Sequence, residues 1–468
     1  SGGTQDGVLL QHDAGARETT ARCMLPPEMP QRTCEAGQST PNPIIPATGE
    51  KTYRHQDIKD DAPHALNFER IYRTQWQIAP QANMALRWGH NHVANLRFDD
   101  LDRSGNTLIL QLPDGSQRRF SRTSTSAWAN ASHGDRLTSG PVVRRAATWL
   151  YSRADDDSQW LFTQPTARSI GVPLTQRQRD GWTYSYTHNA AGRLTQVRNQ
   201  FNRSLSLTYH ASGLLAGVTG PDGQTTSYTW DSNARLVRVT YPGGAFLRYH
   251  YENARFPQHI TGVTDENNRR YQTVTYDALG RATVSRLAGN AERYAVSYPS
   301  IDAGFNTGAT ITDPIGTART YGYAQTNGRT HVTSGSALPG CKGEPPIATR
   351  TQTAQGLLES ETDFHGNTTR YTWDTRRQLI TSITRAAGRP EQQITAMDWH
   401  PAFSLPVRIV EPLKTTQHEY DAAGRLLRST VTHTGGASQG KVQVTQHTYT
   451  ASGLLATITE PNGAVTTF

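Results

Sequence analysis

The chain has 468 residues, enough for one large domain or for several ordinary ones. Hydrophobic residues make up only 35% of it, and no apolar run approaches the length of about 20 residues that spans a bilayer. Nine Trp, 19 Tyr and 11 Phe are more large apolar side chains than disordered chains carry. We therefore exclude a transmembrane helix and intrinsic disorder, and we expect a folded protein rich in turns.

The net charge of +8 raises the question of nucleic-acid binding. Only five of the 47 basic residues are Lys, and the Arg residues are spread in ones and twos rather than gathered in a block. Arginine also stacks on aromatic rings and donates several hydrogen bonds, which suits a polar β-sheet. We expect no nucleic-acid partner.

Three parts follow one another along the chain. Residues 1–40 are polar and irregular. Residues 41–175 contain alternating, strand-like stretches, among them 66–72 and the run 108–112, which enters a turn at 113–115. From 176 to 468 the sequence repeats itself. Helical periodicity is scarce throughout, so we predict an all-β fold.

The repeating unit consists of an aromatic residue, often an Asp, two small residues, a Gly, and then Arg or Leu. Its most regular copies begin 21 residues apart, at His188, Tyr209, Trp230 and Tyr251. A second turn signal, such as the one at 221–223, lies between successive copies. The positions that define the repeat are Tyr209, Gly213, Trp230, Tyr276, Asp277, Gly280, Arg281, Tyr420, Asp421, Gly424, Arg425, Tyr449 and Gly453.

Two turns in every unit leave strands of about six to eight residues, so each unit is predicted to be a β-hairpin that pairs with its neighbours. The Gly is expected to have a positive φ, and the Asp to brace the turn with its side chain. Because the aromatic residue has a fixed offset from the turn, successive aromatics should lie on one face, and we expect the repeat residues to be structural. The low apolar content favours a ribbon wetted on both faces that curls into a spiral or a wall.

In series, these units resemble the YD repeats of rearrangement-hotspot (RHS) proteins and of their teneurin and insecticidal toxin-complex relatives. The resemblance covers about residues 176–468. The region 41–175 separately resembles the segment that opens the shell of many bacterial RHS proteins. The residues that carry this second resemblance are Asn42-Pro43-Ile44, Thr48-Gly49-Glu50-Lys51, Asp57, Leu66, Phe68-Glu69-Arg70, Tyr72-Arg73, Trp88-Gly89-His90-Asn91 and Pro113-Asp114-Gly115 through Phe120.

The resemblance implies a β-ribbon that spirals into a hollow shell and, in the polymorphic-toxin members, encloses a C-terminal toxin. The implied partners are a toxin cargo domain on the same polypeptide or a neighbouring fragment, the remaining shell segments, and a secretion-apparatus or chaperone protein. The implied location is the bacterial cytoplasm before export or delivery. The first forty residues show no secretory signal, although residues 1–3 resemble a cloning remnant from which an upstream signal could have been trimmed.

The sequence departs from the family pattern in two ways. It stops at Phe468 within a repeat, without a toxin-like tail. It also lacks the Pro-x4-Asp-Pro-x-Gly-Leu signature after which the family releases its cargo. The nearest candidate, Asp313-Pro314-Ile315-Gly316, continues with Thr317 and is interpreted as a turn. We expect one piece of a shell wall.

No pattern predicts a catalytic residue, a metal site or a cofactor. His90 and His92 would share a face of a strand, but a third metal ligand is not indicated nearby. The acids at 99–100 and 155–157 lie beside turn residues and are predicted to be solvated. Cys341 is interpreted as a loop thiol because no His partner is visible. Whether Cys23 and Cys34 form a disulfide stays open.

These observations favour a non-catalytic piece of a shell that encloses a toxin used against other bacteria or a host. The first alternative is a cell-surface or carbohydrate-binding wall, in which the repeat Tyr, Trp and Arg side chains would stack on sugars. A glycan-acting enzyme is a minor alternative.

Overall fold

The computed structural model describes residues 39–40, 42–76, 84–99, 102, 104–122, 127–130, 134–166, 169–299, 306–326, 329–336 and 347–468. Within these ranges the chain is β-structure without an α-helix, apart from three short 3₁₀ turns at Pro242–Gly244, Ala288–Asn290 and Gly436–Ser438. The same ranges contain no helix suited to crossing a membrane. The prediction of an all-β fold is confirmed.

Two antiparallel sheets account for the strands of the described residues. The smaller sheet, which we call the insert sheet, consists of β1 (Ile44–Ile45), β2 (Glu50–Ile58), β3 (Phe68–Arg73) and β4 (Trp88–His90), paired in that order. In the larger sheet, β5 to β37 follow one another in chain order and each strand pairs with the next.

The first half of the long sheet consists of β5 (Asn95–Phe98), β6 (Thr107–Gln111), β7 (Gln117–Arg122), β8 (Ala127–Asn130), β9 (Arg136–Ser139), β10 (Thr148–Ser152), β11 (Gln159–Thr163), β12 (Pro173–Arg177), β13 (Thr183–His188), β14 (Leu194–Asn199), β15 (Ser204–Tyr209), β16 (Leu215–Thr219), β17 (Thr225–Trp230), β18 (Leu236–Thr240), β19 (Phe246–His250) and β20 (Gly262–Thr264). The second half consists of β21 (Arg270–Tyr276), β22 (Ala282–Leu287), β23 (Tyr294–Ser297), β24 (Gly308–Thr312), β25 (Ala318–Thr326), β26 (Arg329–Gly335), β27 (Thr349–Gln352), β28 (Leu358–Thr362), β29 (Thr368–Asp374), β30 (Leu379–Arg385), β31 (Gln393–Trp399), β32 (Pro406–Glu411), β33 (Lys414–Tyr420), β34 (Leu426–His433), β35 (Val442–Tyr449), β36 (Leu455–Thr459) and β37 (Val465–Thr467).

The long sheet is a series of hairpins with a recurring irregularity. The pairing register shifts where a repeat aromatic meets the following strand, as at Tyr209, Tyr420 and Tyr449. Each shift leaves one extra residue on the following strand, which bends a sheet and increases its twist. Because the shift recurs at the same place in the repeat, the bends add up along the ribbon.

The ribbon winds back on itself after 21 strands. The turn between β10 and β11 meets the turn between β31 and β32, where the Ser404 amide donates to Asp157 Oδ2 at 2.7 Å. The turn between β14 and β15 meets the turn between β35 and β36, where Gln200 Nε2 donates to the Ser452 carbonyl oxygen at 3.3 Å. From β10 to β31 and from β14 to β35 the spacing is 21 strands. We call β8–β28 the first coil, β29–β37 the second coil, and these turn-to-turn contacts the seam.

The first strand of the long sheet is also paired on its outer edge. Leu96 of β5 exchanges two backbone hydrogen bonds, of 2.9 and 2.6 Å, with Gly171. A Cβ atom at Gly171 would lie 2.3 Å from the Thr163 carbonyl oxygen, so this close approach requires glycine. The contact covers an edge that would otherwise be open to pairing with another chain.

The insert sheet packs on one face of the first coil, which we call the inner face. Phe68 and Trp88 of the insert sheet share a buried apolar cluster with Leu207 and Tyr228 of the long sheet. Repeat aromatics such as Tyr209 pack against the same cluster. The inner face is therefore the face that carries the repeat aromatics.

Burial differs between the two coils. The first coil buries its inner face against the insert sheet, so the prediction of two wetted faces is wrong there. That prediction used average composition, whereas the apolar residues are concentrated where the insert sheet docks. In residues 358–468, all of which are described, Gly424 is the one buried residue. Both faces of the second coil thus stay partly exposed, as predicted.

Candidate functional site

The candidate site is the inner face, which has two parts: the buried contacts that hold the insert sheet, and the uncovered face of the second coil. In β3, Phe68, Arg70 and Tyr72 alternate onto the face that meets the first coil. Arg70 is completely buried, and its Nη2 donates to Asp57 Oδ1 at 2.8 Å while its Nε donates to Asp57 Oδ2. A buried guanidinium requires such a partner, because an unpaired buried charge is strongly destabilising.

Three tyrosine hydroxyls of the first coil complete this buried ion pair. Those of Tyr228 and Tyr241 donate to the Asp57 carboxylate at 2.8 and 3.0 Å. Arg70 Nη1 donates to the Tyr249 hydroxyl at 2.7 Å. Burial raises the pKa of Asp57, but the charge of Arg70 and the hydrogen bonds outweigh it and hold that pKa below its ordinary value. The ion pair therefore ties the insert sheet to the inner face.

A second buried ion pair joins β2 to β3. Arg73 donates to both carboxylate oxygens of Glu50, at 2.9 and 2.6 Å, and both side chains are fully buried. Arg73 Nη1 also donates to the Asp114 carbonyl oxygen at 3.2 Å, in the turn between β6 and β7. The insert sheet is thus anchored to the first strands of the long sheet as well.

The sequence carries a signal for these anchors beyond the family resemblance. Asp57 and Arg70 were part of the resemblance to a shell-opening segment, without a role of their own. Arg70 stands two residues from Phe68 and two from Tyr72, so an alternating strand must turn all three to the same buried face. A buried Arg in turn predicts a buried acidic partner.

On the inner face, the repeat aromatics bind the backbone of the preceding hairpin. The indole N–H of Trp230 donates to the Leu215 carbonyl oxygen at 2.7 Å. Each such bond crosses to the first residue of an earlier strand, or for Tyr276 to Ile260 just before β20, and leaves the ring packed on the sheet. The corresponding bonds are Tyr209 to Leu194, Tyr276 to Ile260, Tyr420 to Pro406 and Tyr449 to Leu426, at 2.5, 2.7, 2.8 and 3.0 Å.

The turn residues of the repeat form a linked set of contacts, seen in the copy at 420–425. Asp421 Oδ1 accepts the backbone N–H groups of Ala423 and Arg425, each at 2.9 Å, and Oδ2 accepts Arg425 Nε at 2.6 Å. Gly424 has a φ of +75°, which glycine adopts without strain. The Arg425 guanidinium lies 5.0 Å from the ring centroid of Tyr449, the aromatic of the next hairpin.

An earlier copy has the same geometry. Arg281 Nε donates to Asp277 Oδ2 at 2.7 Å, and its guanidinium lies 4.4 Å from the Tyr298 ring centroid. Each of these turns is thereby joined to the aromatic of the next hairpin. The other repeat glycines with positive φ are Gly213, Gly280 and Gly453, at +87°, +78° and +86°.

In the second coil the inner face has no covering sheet among the described residues. The side chains that alternate with the repeat aromatics are only partly buried. Tyr371 donates to Glu361 Oε1 at 2.6 Å, so the surface includes satisfied polar groups. Its further inward side chains include Thr395, Met397, His418 and His447.

Two family models match parts of the chain. Residues 41–120 match a family described as a domain of unknown function (DUF6531). Residues 209–245 match the family described as RHS Repeat, and this range contains Tyr209, Gly213 and Trp230. The chain therefore contains an RHS repeat. No curated protein matches its sequence.

Several solved structures are similar to this RHS-repeat chain. The Tc holotoxin pore of Photorhabdus luminescens is 12% identical, over 89% of this chain and 25% of that chain, with a TM-score of 0.43. TcdB2-TccC3 is 11% identical, over 92% and 28%, with a TM-score of 0.41. A porin-like protein from Bacteroides uniformis is 10% identical, over 61% and 92%, with a TM-score of 0.16. The RHS-repeat chain spans about a quarter of the length of the first two.

The two histidines considered as metal ligands are buried in this RHS-repeat protein. His92 Nε2 contacts the Asn67 carbonyl oxygen at 2.8 Å, and His90 Nδ1 accepts the His92 backbone N–H at 3.3 Å. Burial lowers the pKa of His92 to about 4 and that of His90 well below its ordinary value, so both rings are neutral. Among the described residues, no three His, Cys, Asp or Glu side chains are grouped as a metal site would require.

The acids predicted to be solvated differ from one another. Asp99 is buried and pairs with Arg119 at 2.5 Å, and Asp157 is largely buried in the seam, so the prediction is wrong for both. The prediction failed because folding brings a partner to each acid. Strand pairing places Arg119 beside Asp99, and the winding of the ribbon places the Ser404 amide beside Asp157. The side chains of Asp155 and Asp156 are half-exposed, as predicted.

The segment considered as a cleavage signature is a turn between β24 and β25. Asp313 Oδ1 accepts the backbone N–H groups of Ile315 and Thr317 at 3.1 and 2.9 Å. The interpretation as a turn is confirmed. Asp100, Cys23, Cys34 and Cys341 lie outside the described residues.

Proposed function

We propose that this RHS-repeat chain is a non-catalytic part of a β-shell that encloses a toxin cargo for delivery in interbacterial or host antagonism. The observation that carries the proposal is the change of the inner face along the winding ribbon. In the first coil the insert sheet occupies that face, and in the second coil none of the residues that the structure describes covers it. The uncovered face then lines the space that the winding encloses, where a guest chain would lie.

The chemistry of the uncovered face suits a guest of no fixed shape. Thr395, Met397 and His418 present a hydroxyl, a thioether and an imidazole in place of one large apolar patch. Where this face begins, Arg350 and Glu361 of the last two strands of the first coil pair with each other at 3.3 Å, so their charges do not attract a guest. Such a surface holds many chains weakly, and a partly folded guest would not be fixed to it.

The repeat residues have structural roles in this proposal, because their polar groups are used in the hairpin turns and between hairpins. The cargo would belong to the same polypeptide or to a neighbouring fragment, and further shell segments would complete the wall. A secretion-apparatus or chaperone protein would be the delivery partner.

Photo-crosslinking in the full-length native gene product tests the proposal. A benzophenone amino acid is placed at Met397, on the inner face, and at Ile394, which is 50% exposed on the opposite face of the same strand. We expect the probe at position 397 to crosslink to a peptide outside residues 1–468. The probe at 394 is the matched control and should remain uncrosslinked.

Mass spectrometry of the crosslinked product identifies the partner segment. A crosslink from position 397 to a domain unlike the repeats supports a cargo. Equal crosslinking at both positions, or crosslinks from 397 only to the RHS repeats themselves, would contradict an enclosed cargo. The intact mass of the gene product shows whether such a domain is present before the crosslink is interpreted.

A further inference from the structure

A cavity of about 700 Å³ lies between the insert sheet and the first strands of the long sheet. It faces the side of the insert sheet opposite to Arg70, with Thr52, Arg54 and Glu69 on its floor. Its walls come from strands far apart in sequence, with Trp160 of β11 and Tyr271 of β21 among the lining residues. This volume falls within the range of small-molecule sites, about 300–1,000 Å³.

The arginines of the cavity are already paired with carboxylates. Arg54 donates to Glu69 Oε2 at 3.0 Å. Arg153 donates to Asp155 at 3.2 Å and lies 3.6 Å from Asp156. Over the whole lining, three guanidinium groups are matched by three carboxylates, those of Glu69, Asp114 and Asp156, so the cavity offers no excess charge to an ionic ligand. A neutral ligand is favoured.

Two buried donors of the cavity nevertheless lack a partner within the described residues. Asn42 Oδ1 accepts Gln272 Nε2 at 2.7 Å, which leaves Asn42 Nδ2 buried and without a hydrogen bond. Arg153 Nε is also buried without a hydrogen bond. Buried donors are normally satisfied, so both call for an acceptor oxygen from a bound molecule. An apolar ligand would leave them unsatisfied.

A further donor and two aromatic rings also belong to the lining. Gln176 Oε1 accepts the Tyr186 hydroxyl at 3.0 Å, so its amide nitrogen is the group left for a ligand. Trp160 and Tyr271 supply aromatic surface, and the Tyr271 hydroxyl is bonded to that of Tyr53 at 3.1 Å. Carboxamide donors beside aromatic rings suit a molecule with hydroxyl groups along its edge and C–H groups on its faces.

We propose that this cavity binds a neutral saccharide of one or two sugar units. The ring oxygens and hydroxyls of the sugar accept hydrogen bonds from Asn42 Nδ2 and Arg153 Nε, and its C–H face packs on the aromatic side chains. The site belongs to the first coil and the insert sheet, and it does not depend on whether the second coil encloses a cargo.

Saccharide titrations of the 468-residue protein test the proposal. The probes are maltose, cellobiose, lactose and chitobiose, with binding followed by saturation-transfer NMR. The variant Asn42→Asp keeps the oxygen that accepts Gln272 but removes the unpartnered donor. The control Asn189→Asp makes the same change in an exposed hairpin turn.

We expect saturable binding of at least one disaccharide, weakened about tenfold or more by Asn42→Asp and unchanged by Asn189→Asp. Thermal melting establishes that both variants fold as the unmodified protein does. If Asn42→Asp fails to fold, Gln176→Glu, which likewise keeps an acceptor and removes a donor, takes its place. Absence of saturable binding to every sugar up to ~10 mM overturns the proposal, as does equal loss in the control. Binding of a neutral peptide but of no sugar would assign the cavity to a polypeptide segment instead.

Discussion

The indole N–H of Trp182 donates a 3.1 Å hydrogen bond to the carbonyl oxygen of Ser452, which lies 270 residues later in the chain. Gln200 donates to the same oxygen. Farther along the seam, the Ser404 hydroxyl donates to the Ala154 carbonyl oxygen at 2.8 Å. The two coils are thus joined from hairpin turn to hairpin turn by individual hydrogen bonds, and a few side chains determine how one coil lies on the other.

Trp182→Phe should loosen the seam without unfolding the protein. Phenylalanine keeps an aromatic ring but cannot donate to Ser452, and a lost hydrogen bond costs about 0.5–1.5 kcal/mol. We expect faster hydrogen exchange in β35 and β36, measured by mass spectrometry, with a small decrease in melting temperature. Trp230→Phe is the control, because its indole bond to Leu215 lies within the first coil. If the two variants changed exchange in β35 and β36 equally, the bond to Ser452 would not hold the seam.

Gly424→Ala should destabilise the protein for two separable reasons. At a φ of +75° an alanine is strained, and its Cβ would lie 3.1 Å from Cγ of Arg179 across the seam. Gly223→Ala has the strain alone, since its φ is +80° and nothing lies within 4 Å of the added Cβ. We expect each variant to lose about 1 kcal/mol from backbone strain, and Gly424→Ala to lose more. Chemical denaturation measures both, and equal losses would show that Gly424 is not packed against the other coil.

Asp421→Ala should destabilise its hairpin by about 1–2 kcal/mol, because two backbone N–H groups and Arg425 lose their acceptor. Asp421→Asn keeps an oxygen for the backbone and loses only the charge, so its effect should be smaller. Asp222→Ala removes one backbone hydrogen bond, to Gln224, and serves as the control. Urea denaturation should rank the losses with Asp421→Ala first. An Asp222→Ala variant as unstable as Asp421→Ala would show that the contact with Arg425 adds nothing.

The hairpins could be predicted from the sequence because their chemistry is local. The Asp421 carboxylate and the amide of Arg425 are four positions apart, and a turn motif of that length can be recognised in one chain. The aromatic spacing predicted an all-β ribbon for the same reason. Alternation in strands likewise placed the aromatics on one face.

The insert docking and the seam could not be predicted in this way, because they join residues that no short pattern connects. Arg70 and Tyr249 are 179 positions apart, and Ser404 and Asp157 are 247 apart. The average composition of the chain likewise did not indicate that one face of the first coil is buried. The cavity near Asn42 depends on both the insert sheet and the winding, so it too becomes visible only in the folded chain.

Acid should weaken the docking of the insert sheet through its buried histidines. The pKa of His92 is lowered from 6.5 to about 4 by burial, so the unfolded chain takes up a proton at a higher pH than the folded chain does. Its contribution to stability is complete above the unfolded pKa and is lost progressively as the pH falls from 6.5 to about 4. The loss reaches at most about 1.4 kcal/mol per pH unit for each such histidine.

Chemical denaturation at pH ~8 and ~5 measures this loss. His92→Gln can still donate to the Asn67 carbonyl oxygen and cannot be protonated, so its stability should fall less between the two conditions. His365→Gln, in an exposed turn, is the control and should behave like the unmodified protein. Identical pH dependence in the unmodified protein and His92→Gln would rule out His92 as a source of acid sensitivity.

Asp57→Asn should release the insert sheet from the first coil. The asparagine leaves the buried charge of Arg70 without its counterion, which costs about 3–5 kcal/mol. Tyr228 and Tyr241 lose their charged acceptor as well. We expect limited proteolysis to cut the insert sheet of the variant under conditions in which the unmodified protein is resistant, and chemical denaturation to show the loss of stability.

The matched control for Asp57→Asn is Asp61→Asn, which makes the same change in the exposed pair formed with Lys59. Solvent screens that pair, so the variant should resist proteolysis as the unmodified protein does. Adding Arg70→Met to Asp57→Asn removes the unpaired charge, so the double variant should be more stable than Asp57→Asn alone. If the double variant were as unstable as the single one, the loss would come from the tyrosine hydrogen bonds rather than from the buried charge.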